Sequence, residues 1–131
     1  MRRGPAVLPA TPAEDAPGQV WRYVYYRVRK QDEATLRAAF ARMLALFDRT
    51  TSRPPRLEAA PVITLARRLD TSVNDAAHDA ATWLETHVLR CAASIAGRDD
   101  VDPWLESIAA EAGLDAVALD GRRIEWFVPC A

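Results

Sequence analysis

The chain has 131 residues, enough for one domain and too few for two. Half of it is apolar, so a real core can form, and folding at this size buries roughly two-thirds of the chain's surface. Seventeen basic residues against eighteen acidic ones leave a net charge of −1, which gives neither nucleic acid nor an anionic membrane an electrostatic reason to bind. One basic residue is lysine, Lys30, and sixteen are arginine. Guanidinium suits paired, stacked or buried charge better than ammonium does.

Residues 1–18 hold four of the nine prolines and few large apolar side chains, and they read as a disordered leader to a domain at 19–131. Arg2 and Arg3 are followed only by Ala6, Val7 and Leu8 before Pro9, short of a signal sequence. With no long apolar run either, the expected location is the cytoplasm. Residues 20–29 alternate strictly and predict a strand, with Val20, Val24, Tyr26 and Val28 on one face. Trp21, Tyr23, Tyr25, Arg27 and Arg29 take the other. Asp32 reads as the N-cap of a helix to about Phe47, whose stripe is Leu36, Phe40, Met43, Leu44 and Phe47.

Prolines 54, 55 and 61 mark a loop before a second strand, Val62–Leu69. Residues 70–81 read as a long connection. A third strand runs from about Thr82 to Leu89, with Leu84 and Val88 on one face and Trp83, Glu85 and His87 on the other. Residues 90–101 fit a short helical turn. Asp102-Pro103 then looks like the start of a helix carrying Trp104, Leu105, Ile108 and Ala112, closed by Gly113. Asp120-Gly121 marks a turn, and Arg122–Val128 a last strand that Pro129 stops.

Strand, helix, strand, strand, helix, strand is the order of a ferredoxin-like α+β sandwich. The predicted sheet is antiparallel with four strands in the order 4-1-3-2 and both helices on one face. That face should take Val24, Val28, Leu84 and Val88. The open face would carry Trp21, Tyr23, Tyr25, Arg27, Trp83, Glu85 and His87, with Glu125 and Phe127 from strand four. So aromatic a face is expected to be covered, and a second copy of the chain covers it by a two-fold axis. The expected partner is thus the chain itself.

Three segments carry a resemblance. Tyr23-Val24-Tyr25-Tyr26-Arg27-Val28, Thr82-Trp83-Leu84-Glu85 and Glu125-Trp126-Phe127 resemble the Tyr-x-Tyr-Tyr-Arg-Val, Thr-Trp-Met-Glu and Glu-x-Phe motifs of a small bacterial family, a domain of unknown function. The resemblance covers roughly residues 20–130. It implies the dimeric α+β barrel superfamily, which includes cofactor-free monooxygenases, haem-degrading enzymes, muconolactone-type isomerases and stress-response proteins. His87 departs from the pattern, where an aromatic is expected, and the connections at 70–81 and 89–101 are longer than usual.

On the expected open face, Arg27 would lie about 5 Å from Glu85 across neighbouring strands. Tyr25 and His87 would add groups able to move protons. These four are the candidate catalytic residues, and the favoured reading of the same cluster is a buried ion pair setting dimer register. Tyr23, Tyr25, Trp83 and Phe127 are the candidate ligand-binding residues, for a small hydrophobic or aromatic molecule. Aromatics on strands one and three also suit RNA stacking, but residues 80–87 lack the basic, glycine-containing signature and Glu85 would repel phosphate. Two histidines, His78 and His87, without CxxC or HExxH, give no zinc pattern, and a haem ligand would have to be one of these two. Cys91 and Cys130 read as reduced thiols, with Cys130 placed to bridge two chains in air. No cofactor or metal is expected. The expected function is a homodimeric domain that is non-catalytic or binds a small ligand. The alternative is a cofactor-independent monooxygenase or isomerase acting on a small aromatic or enol-like substrate.

Overall fold

The computed structural model describes residues 17–50, 52–69 and 79–130. The leader up to residue 16, His78 and most of the 70–81 connection lie outside the described residues. Strand β1 (Pro17–Arg29) leads through a short 3-10 turn to helix α1 (Glu33–Arg49). Strands β2 (Val62–Arg67) and β3 (Ala80–Ala92) follow. Helix α2 (Ile95–Ala112), a single-turn helix α3 (Leu114–Val117) and β4 (Arg123–Phe127) complete the fold. The sheet is antiparallel in the order β2-β3-β1-β4, the expected order read from the other edge. It is the ferredoxin-like arrangement, with β1 and β3 central.

Local chemistry explains most element ends. Ser94 caps α2, its Oγ accepting from the Gly97 N–H at 3.2 Å. Gly113 ends the helix at φ 97°, a left-handed conformation that a residue with a Cβ adopts only with strain. Asp102-Pro103 does not start a helix. It lies inside α2, which begins at Ile95, so the short turn and the short helix of the sequence reading are one element. Asp32 stands at the N-cap of α1 but makes no side-chain capping hydrogen bond. In α1 the buried positions are Leu36, Ala39, Met43 and Phe47, while Leu44 of the expected stripe turns outward.

The core lies between the helices and one face of the sheet. β1 sends Val20, Arg22, Val24, Tyr26 and Val28 into it, as its alternation predicts. β3 corrects the sequence reading: its inward set is Ala81, Trp83, Glu85, His87, Leu89 and Cys91. Leu84 and Val88, expected in the core, take the open face instead. The register makes the two faces concrete. Inside, one row across the sheet reads Ile63, His87, Arg22, Trp126, and the next reads Leu65, Glu85, Val24, Ile124. Outside, one row reads Val62, Val88, Trp21, Phe127. No helix of the described residues is long and apolar enough to cross a membrane.

Candidate functional site: a buried ring of charge and an open apolar face

Among the described residues, three polar side chains are fully buried in the core: Arg22, Glu85 and His87. Arg22 and His87 are cross-strand partners on the inner face, and Glu85 is two residues from His87 and therefore on the same side. A fourth, Arg122, comes from the turn before β4 and is 3% exposed at its side chain. Helix α2 closes the group from above with Asp102 and Glu106, four residues apart on one helical face.

The contacts form a closed ring. Arg22 donates from Nη1 to His87 Nδ1 at 3.2 Å. Since guanidinium can only donate, Nδ1 is the acceptor, and the His87 proton sits on Nε2. That nitrogen donates to Glu85 Oε1 at 2.8 Å. Glu85 also accepts from Arg122 Nη1 at 2.7 Å and Nη2 at 3.2 Å, and from the Tyr26 hydroxyl at 2.5 Å. Arg122 reaches on to both Glu106 oxygens, at 2.9 and 3.0 Å. Glu106 returns to Arg22 at 2.9 Å, where Asp102 adds a further pair at 2.7 Å. The rings of Trp126 and Tyr26 cover Arg22 and Arg122 at 5.6 and 5.1 Å.

The electrostatics follow from this geometry. Burial alone would raise the Glu85 carboxyl, but hydrogen bonds from His87 and Arg122, with the Arg122 charge, overcome it and hold the group at about 2. Burial pushes His87 below its ordinary value; Glu85 opposes this, while Arg22 and Arg122 add to it. His87 is therefore the neutral Nε2–H tautomer at pH 7, wedged between a cation and an anion. Tyr26 is driven up by burial and by the adjacent Glu85 charge. Both ring nitrogens of His87 are held by protein partners, which leaves no free lone pair for a metal or haem. The groups of the ring satisfy one another, the condition under which buried charge is tolerated.

The four candidate catalytic residues are split between the two faces. Glu85 and His87 lie in the core, whereas Tyr25 and Arg27 lie on the open face. Arg27 stands opposite Thr82, and Glu85 stands opposite Val24, so the expected Arg27–Glu85 pair does not form. Glu85 has Arg122 as its arginine instead. The candidate ligand-binding set is split as well. Tyr23, Tyr25 and Phe127 share the open face, with Tyr23 packed at 5.0 Å from Phe127 and 6.5 Å from Tyr25. Trp83 is buried, donates to Glu33 Oε2 at 3.2 Å and carries the Arg37 guanidinium at 5.3 Å. Cys91 is buried, which raises its thiol, and Cys130 is exposed.

Sequence reading missed Arg22, Tyr26, Asp102, Glu106 and Arg122. A signal for the first was present: Arg22 shares the parity of Val20 and Val24, and an arginine on a buried parity demands an acid on the facing strand. No protein-family model matches the chain, and no curated protein matches it.

Proposed function

We propose that the chain works as a homodimer joined through the open faces of its sheets, in the manner of a dimeric α+β barrel, and that it binds rather than transforms its ligand. The observation that carries this reading is the apolar row Val62, Val88, Trp21, Phe127, which crosses all four strands without a polar interruption. Val62 and Phe127 in it are 62% and 44% exposed. The next row sets Tyr23 between Thr86 and Glu125, and the one beyond it brings Ala66, Leu84 and Tyr25 up to Arg123. A contiguous apolar surface of this kind favours a partner, and a self-complementary patch favours a two-fold copy. Tyr23, Tyr25 and Phe127 are the residues to hold a small hydrophobic or aromatic ligand at such an interface.

The monooxygenase or isomerase alternative requires Arg27, Tyr25, Glu85 and His87 around one cavity. With two of them facing the core it has no such cluster, and the binding reading is the better supported. Light scattering coupled to size exclusion tests the proposal. The expected mass is about 29 kDa, twice the 14.5 kDa of one chain. Val88→Arg, placed in the middle of the row, is expected to give the single-chain mass with an unchanged circular dichroism spectrum. A wild-type protein that stays at the single-chain mass up to high micromolar concentration overturns it.

A further inference from the structure

Where the open face ends, away from the apolar row, lies a groove of about 190 Å³. β1 lines it with Tyr25 and Arg27, β3 with Thr82, β4 with Arg123, and the preceding turn with Asp120 and Gly121. Arg123 stands opposite Tyr25 and is therefore the diagonal neighbour of Arg27, two positions along β1. Diagonal neighbours lie roughly 7–8 Å apart, within reach of side chains as long as arginine.

Among the described residues neither guanidinium has a hydrogen bond or an ion pair, and Asp120, in the same groove, pairs with neither. Some arginines elsewhere hold oxygens, Arg22 and Arg122 those of carboxylates and Arg42 and Arg98 those of backbone carbonyls, whereas Arg27 and Arg123 share one groove without any. Two like charges without an ion pair on adjacent strands repel, and an anion between them relieves the repulsion.

We propose that this groove is an oxyanion site, in which Arg27 and Arg123 take the oxygens of a small carboxylate or phosphate beside the Tyr25 ring and the Thr82 hydroxyl. The volume is below that of pockets for drug-sized molecules, so the ligand is a small anion or the acidic end of a larger one. The groove borders the proposed interface, since Tyr25 belongs to both and stands opposite Arg123. The site goes beyond the dimer reading and fails separately from it, since one is read as an affinity and the other as a mass.

The test is a titration of the full chain with sodium benzoate and, separately, with inorganic phosphate, followed by NMR shifts of the arginine side-chain N–H groups. Arg27→Met and Arg123→Met keep the apolar stem and remove the charge; Arg49→Met, on α1, is the control. Saturable binding of a probe is expected, weakened at least about tenfold in either groove variant and unchanged in the control. Binding of benzoate alone identifies a carboxylate site, of phosphate alone a phosphate site, and of both a general oxyanion site. Absence of saturable binding by either probe, or wild-type affinity in both groove variants, overturns the proposal.

Discussion

One sheet presents two faces of opposite character, both built on β1 and β3. The face under the helices hides charge: Arg22, Glu85, His87 and Arg122 are buried and mutually satisfied. The face without helices shows apolar and aromatic groups to the surroundings: Trp21, Tyr23, Tyr25, Phe127, Leu84 and Val88. On β3 this inverts the expectation that aliphatic side chains mark the inside, while β1 keeps Val20, Val24 and Val28 there. The difference teaches where each kind of group has its partner. The charges found theirs within the chain, through α2 and the turn before β4. The apolar row has none among the described residues, and in our reading a second copy supplies it.

The largest expected effect breaks the buried side of the comparison. Arg122→Met leaves Glu85 buried without its arginine and Glu106 with one guanidinium fewer, and is expected to cost about 3–5 kcal/mol in denaturant unfolding. Adding Glu85→Leu should not recover the loss, because the His87 Nε2–H and the Tyr26 hydroxyl then lose their buried acceptor. A smaller effect tests how tightly α2 sits on β3. A Cβ at Gly97 would stand 2.4 Å from the Ala92 carbonyl oxygen, so Gly97→Ala forces backbone movement and should cost about 1–3 kcal/mol.

The pH dependence is smaller again and has a definite sign. His87 titrates below its ordinary value in the folded chain, so the unfolded chain binds its proton first as pH falls. Stability is complete above about 6.5 and declines below it. Glu85 adds a second loss at more acid pH, as the medium falls from the ordinary carboxylate range toward about 2. Thermal midpoints between pH 8 and 5 should fall with acid in the wild type and flatten in His87→Gln, whose amide keeps a donor and an acceptor without a titrating proton. At the bottom of the scale, Arg27→Ala on the open face should change unfolding stability by no more than about 0.5 kcal/mol. A large loss there would erase the distinction between the faces.

Much of the fold was legible, and the site only in pieces. β1 announced both of its faces because its alternation is strict over ten residues. β3 misled because only 82–89 was read as strand. Within that window Leu84 and Val88 look like the core, whereas Ala81 and Cys91 beyond its ends join Leu89 on the parity of Glu85 and His87. α2 was divided because Asp102-Pro103 mimics a helix start. In the fold Asp102 is a mid-helix acid facing Arg22. Arg122 was hidden for another reason: as a turn residue it has no periodicity to show which way it points. The open-face aromatics Tyr23, Tyr25 and Phe127 were placed correctly, since neighbours of both sides constrained them.

In our reading the open face, and not the helical side, meets a second copy. Isotope-filtered NOE spectroscopy on a dimer mixed from labelled and unlabelled chains tests it most directly. The prediction is contacts between chains from the Trp21, Tyr23 and Phe127 rings to the methyl groups of Val62, Leu84 and Val88. Contacts between chains that arise instead from α1 or α2, or none in a species of doubled mass, would contradict it.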